Sequence, residues 1–132
     1  MLPSLHQSLL MVTDLTASTA FYEDIVGLET DRVEEGNVEF TTGEGTLVLE
    51  EDFDPEVLDA FGLDDPGDDR GKGVIVALDV GTPDDVDAVC ERASEAGDVV
   101  RTGPMDVDWG RRMALLSDPD GYTIEVSASL SA

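Results

Sequence analysis

One carboxylate stands alone in an otherwise apolar strand: Glu125, between Ile124 and Val126. Facing an apolar surface, such a charge needs a partner, because an uncompensated carboxylate is costly to desolvate. A divalent metal is one candidate, and a guanidinium from Arg111 or Arg112 on the preceding strand is another. Further donors lie at His6, the only histidine, at Gln7, and at Glu50 and Glu51, which end the run Thr46-Leu47-Val48-Leu49. Oxygen and imidazole donors are types that a divalent ion accepts. Such an ion with open positions would polarise a bound substrate. Each donor also has a plainer reading. Gln7 would be a polar residue meeting ligand or water, and the two arginines of Trp109-Gly110-Arg111-Arg112 would be salt partners for acidic neighbours rather than holders of an anion. Cys90 cannot form an internal disulfide, being the only cysteine, and sits where a small buried packing residue is expected.

The elements that would position these groups follow a repeating order. Leu5 to Val12 suits a strand. Asp14 or Thr16 can cap a helix whose Ala17, Phe21 and Ile25 share one face and which Gly27 stops. Strands are expected at 28–34, 37–42 and 46–51, joined by glycine turns. The order then recurs: a strand at 73–80, a helix opened by Thr82-Pro83-Asp84-Asp85 with Val86, Val89, Cys90 and Ala93 as its stripe, and strands at 99–106, 112–117 and 122–127. Between the copies, 52–72 carries Pro55, Pro66 and several glycines among acids. It reads as a linker or surface arm with a turn or two of helix at 55–61. The chain is therefore expected to be α+β: a βαβββ module at 1–51, an acidic linker at 52–72 and a second βαβββ module at 73–132. Each helix covers one sheet face, so the opposite faces of the two modules would form a cup for a small molecule.

Strand alternation sorts the candidates. Ser8, Leu10 and Val12 would face the first helix, leaving Gln7, Leu9 and Met11 to the cup and turning His6 away from it. If Leu47 and Leu49 pack on the helix, Val48 and Glu50 face the cup.

Asp and Glu number 31 against seven basic residues, a net charge of −24. The acids are dispersed in pairs such as Glu34-Glu35, Asp64-Asp65, Asp68-Asp69 and Asp84-Asp85, as a solvated shell on a folded domain would be. Such a field repels nucleic acid and anionic membranes. It also suggests a salt-loving source, since high ionic strength screens the self-repulsion. No apolar run is long enough to span a bilayer. The N-terminus lacks a secretion-signal pattern, and a cytoplasmic location is expected.

Two stretches carry a family resemblance. Val12-Thr13-Asp14-Leu15, Ser18, Phe21-Tyr22-Glu23-Asp24 and Gly27-Leu28 resemble the opening of vicinal-oxygen-chelate proteins, the glyoxalase/bleomycin-resistance/dioxygenase superfamily. Trp109-Gly110-Arg111-Arg112 and Ser117-Asp118-Pro119-Asp120-Gly121-Tyr122-Thr123-Ile124-Glu125 resemble its ending. The Asp-Pro-Asp-Gly stretch is the most specific piece, although it suits a tight hairpin turn whatever the chemistry nearby.

The resemblance implies four metal-ligand positions, two per module, on the first and last strands. The first, seven residues before Asp14, is Gln7, with His6 as runner-up. The fourth is Glu125. The second falls among 46–51, where Glu50 could serve, but aligning the modules puts Val48 there. The third is Ile75, which cannot ligate. Two readings follow. In one, the protein binds a small molecule without a complete metal site, as bleomycin-resistance members do, using Leu9, Met11, Ile75, Trp109, Arg111 and Arg112. In the other, it is a metal-dependent lyase, isomerase or dioxygenase with one divalent ion, Zn, Ni, Fe or Mn, on Gln7, Glu50 and Glu125, the last being catalytic. The resemblance further implies a homodimer.

Overall fold

The computed structural model describes residues 1–68 and 70–131; Asp69 and Ala132, both within the sequence-based expectations above, lie outside the described residues. The first unit runs β1 (Gln7–Val12), α1 (Leu15–Ala20) continuing as a π-helical turn (Phe21–Val26), β2 (Glu29–Glu34), β3 (Asn37–Thr41) and β4 (Thr46–Glu51). A short α2 (Pro55–Phe61) follows. The second unit runs β5 (Ile75–Asp79), α3 (Pro83–Glu95), β6 (Val100–Val107), β7 (Arg111–Ser117) and β8 (Thr123–Ser129). Each unit forms its own four-stranded mixed sheet, ordered β1-β4-β3-β2 and β5-β8-β7-β6. First and last strands pair in parallel and the others antiparallel. This is the expected α+β fold of two βαβββ units.

Local chemistry explains the helix boundaries. Asp14 accepts from the Ala17 amide, and Gly27, at a φ of 94°, closes the π-helical turn in the left-handed region. Thr82 and Asp85 make a reciprocal capping box with Pro83 in the first turn of α3. The stripe Val86, Val89, Cys90 and Ala93 is buried.

Both helices and the helix-facing sides of both sheets share one core. Leu10, Val12, Phe40, Leu47 and Leu49 of the first sheet join Ala114, Leu116, Ile124 and Val126 of the second. Two carboxylates of the Asp-Pro-Asp-Gly turn fasten the units across their seam. The Tyr22 hydroxyl donates to Asp118 (2.7 Å), and the Thr13 hydroxyl donates to Asp120 (2.8 Å). Burial pushes the Asp118 carboxyl above its usual range, opposed by donation from Tyr22 and from the Tyr122 and Asp120 amides. The same burial, beside Asp118, pushes the Tyr22 phenol up.

The end of the linker departs from the expected surface arm. The Arg70 side chain is 4 % exposed and holds Asp52 through two hydrogen bonds of 2.6 and 2.8 Å. It also donates to the Met11 carbonyl, which accepts from the Tyr122 hydroxyl as well. Gly71 lies so close to the Gly121 carbonyl that a Cβ would have no room. An arginine in an acidic stretch finds its carboxylate nearby, and the pair draws the chain inward. Among the described residues no helix is long and apolar enough to cross a membrane.

Candidate functional site

The sheet faces opposite the core carry the candidate residues. On the first sheet, Leu10 and Val12 enter the core, so Gln7, Leu9 and Met11 occupy the uncovered face. Register places them beside Thr46, Val48 and Glu50 of β4. On the second sheet, Ile124, Val126 and Ala128 enter the core. Glu125 is therefore on the uncovered face, between Thr123 and Ser127 along β8, with Ala77 across one side and Leu115 across the other. Ile75 and Asp79 share that face.

Arg111 and Arg112 are adjacent in one strand and point opposite ways. Arg111 lies on the uncovered face, where its guanidinium donates to the Ser127 hydroxyl (3.0 Å) and to Asp79 (2.8 Å). That guanidinium, with the Gly81 amide, holds the Asp79 carboxyl below its usual range. Arg112 is on the helix side, bonded to Asp87 of α3 (2.9 Å) and Asp106 of β6 (2.8 Å). It departs from the expected ligand-contacting role because it shares strand parity with the buried Ala114 and Leu116. Trp109 sits in the β6–β7 turn and is 72 % exposed. His6 precedes β1 and is exposed.

At one end the uncovered faces of the two units meet, where Gln7 and Thr46 of the first sheet and Ala77 of the second line one hollow. That hollow is about 160 Å³, and Glu125 does not line it. Leu9 and Ile75 are 43 % and 57 % exposed. The units join through their helix-facing sides and the seam at Thr13, Tyr22, Asp118 and Asp120; on the opposite faces Val48, Thr123 and Ser127 are buried while Leu9 and Ile75 stay open.

The residues present do not fit a complete metal centre. A divalent ion in such a protein needs three or four donors. Among the described residues, no three His, Cys, Asp or Glu side chains come together. Glu50 already accepts from the Asn37 amide (2.9 Å), and Ile75 offers no donor atom. Glu125 is half-buried and its carboxylate has no hydrogen bond or ion pair among the described residues.

The family model for the glyoxalase/bleomycin resistance protein/dioxygenase superfamily matches residues 4–126. The chain belongs to that superfamily. Similar solved structures show the same fold. A glyoxalase-related enzyme from Fulvimarina pelagi superposes with a TM-score of 0.80 at 19% identity, covering 97% of this chain and 89% of that one. A superfamily protein from Nocardioides gives 0.74 at 24% identity over 100% of this chain and 87% of the other. The fosfomycin resistance protein FosX from Listeria monocytogenes gives 0.72 at 19%, over 98% and 95%. No curated protein matches the chain. Within the superfamily, the buried groups that the sequence reading missed here are Arg70, Tyr22, Asp118 and Asp120. Their side-chain partners lie 18 to 107 residues away, and only Arg70, isolated among acids, carries a local signal.

Proposed function

We propose that this superfamily member binds a small molecule against its uncovered sheet faces, that a second copy of the chain completes the enclosure, and that no complete metal centre takes part. The observation that carries the reading is Ile75. It stands on the uncovered face of β5, where the superfamily resemblance calls for a donor, and it presents an exposed apolar surface instead. Leu9, Met11 and Ile75, with Met113 and Leu115 from β7, supply apolar contact area. Arg111 supplies the cationic group that meets an anionic part of the ligand, held in place by Asp79 and Ser127. In a water-accessible chain these surfaces would remain wet. Pairing with a second copy removes that water and strengthens the Arg111 contact.

Metal analysis of the purified full chain after exposure to Zn, Ni, Fe and Mn tests the proposal. Far less than one equivalent per chain is expected, together with a dimer in sedimentation. About one equivalent, lost in Glu125→Gln, would defeat it and favour a metal-dependent lyase, isomerase or dioxygenase. That second reading has one observation in its support, the unpartnered half-buried carboxylate of Glu125.

A further inference from the structure

An opening of about 570 Å³ lies at the end of the second sheet where β5 and β8 begin. Val74, Ile75 and Leu115 give it apolar walls, and Arg101, Thr102 and Thr123 supply polar groups. The volume falls within the range of small-molecule pockets. Thr123 is 8 % exposed, yet its hydroxyl makes no hydrogen bond among the described residues. A hydroxyl so nearly enclosed is costly to leave without a partner. A ligand in the opening supplies one.

Arg101 is the one ionisable residue in the lining. Arg32, Arg70, Arg111 and Arg112 all bind carboxylates. Arg101 instead donates to the Ser117 hydroxyl (3.1 Å) and the Gly121 carbonyl (2.8 Å), and holds no carboxylate among the described residues. In a chain with 31 acidic residues, this guanidinium is fixed in place with its charge unmet. Ser117 pairs directly with Thr123, which brings the guanidinium to the Thr123 end of the face.

The opposite charge stands one step along. Glu125 follows Thr123 on the same face of β8, beyond the lining of the opening, with Leu115 directly across from it. Its half-buried carboxylate has neither a cation nor a hydrogen bond among the described residues. Two residues along a strand span about 7 Å. An ammonium and a carboxylate on one carbon, each about 2.8 Å from its partner, bridge a gap of that order. An anion alone leaves Glu125 unmet, a cation alone leaves Arg101 unmet, and a zwitterion meets both.

We propose that this end of the second sheet is a further ligand site, one that takes an apolar α-amino acid. Its carboxylate meets Arg101 and the Thr123 hydroxyl, its ammonium meets Glu125, and its side chain rests on Val74, Ile75 and Leu115. The site shares Ile75 and Leu115 with the surface proposed above. Arg111, about 13 Å from Leu115 along β7, takes no part in it.

The probe is L-phenylalanine, titrated into the full chain in about 0.5 M KCl with EDTA, so that diffuse attraction is screened and no metal bridges the amino acid to Glu125. Saturable binding is expected, with amide NMR shifts centred on Ile75, Leu115 and Thr123. The analogue 3-phenylpropanoate lacks the ammonium, and 2-phenylethylammonium lacks the carboxylate; each should bind at least about tenfold more weakly. Arg101→Gln should lose at least about fivefold in affinity for L-phenylalanine and 3-phenylpropanoate while keeping its affinity for the amine. Glu125→Gln should do the reverse, losing the amino acid and the amine and keeping the carboxylate. A defect of folding would weaken all three together. The comparison of the three compounds uses the unaltered chain, and it decides alone if a variant fails to fold. Equal binding of either analogue, full affinity for L-phenylalanine in either variant, or shifts that never saturate would each overturn the proposal. Shifts centred on Arg111 and Met113 would overturn it while leaving the function proposed above in place.

Discussion

Arg70 illustrates how a single residue can be misjudged from its surroundings. Among the acids and glycines of the linker it looks solvated, yet it is enclosed between Asp52 and the Met11 carbonyl. Removing it strands a partly buried carboxylate and a carbonyl, so Arg70→Ala should cost about 2 kcal/mol, a value discounted from fully buried pairs because Asp52 is partly exposed. Arg70→Lys should recover less than half of that loss, since an ammonium cannot reproduce the two-pronged contact. Urea denaturation midpoints measure both, and wild-type stability in the alanine variant would refute the assigned role. Asp118 offers a second test. Its carboxyl is raised in the folded chain, so the native state holds this proton more tightly than the unfolded state does. Its contribution to stability therefore falls as pH rises from the ordinary aspartate range through the folded value. Tyr22→Phe removes a bond that lowers this pKa. Carbon-13 titration of the Asp118 carboxyl should find it above the range of exposed aspartates, and higher again in Tyr22→Phe. An ordinary value in the wild-type chain would contradict the burial argument.

At the level of elements, much was legible because it depends on short-range rules. The caps at Asp14 and Thr82, the stop at Gly27 and the buried stripe of α3 all follow from residue type and spacing. Thr82→Ala should lower the unfolding free energy by about 1 kcal/mol, read from the urea midpoint, because it removes half of a capping box. No change would mean that Asp85 alone secures the helix start. Alternation also placed Gln7, Val48 and Glu50 on the uncovered face. The same rule, applied to β7, assigns Arg112 to the helix side through Ala114 and Leu116, so adjacent Arg111 and Arg112 cannot share one role. The π-helical turn had no such signal. Its Phe21, Tyr22 and Val26 are buried in the shared core. The contacts between units were illegible because Tyr22 and Asp118 are 96 residues apart.

For the molecule as a whole, composition decides the dependence on its medium. With a net charge of −24 on a 132-residue chain, folding concentrates like charges on one small surface. Added KCl screens them, so the melting temperature should climb as KCl rises from about 0.05 to about 2 M, most steeply at the low end where the screening length changes fastest. A flat thermal-melt series would show that the acidic shell is electrostatically neutral toward folding. The duplicated architecture was legible from the repeated order of elements and from the closing Asp-Pro-Asp-Gly stretch. The way its halves are joined was not, because helix-face packing between units leaves no periodic mark.

The Met11 carbonyl, taken at once by Arg70 and Tyr122, ties the first unit to chain that lies beyond it. Residues 1–51 alone carry neither donor and leave the Tyr22 hydroxyl without its acceptor, Asp118. Expressed separately, that half should therefore be a poor protein, and adding the remainder as a second fragment should restore what it lacks.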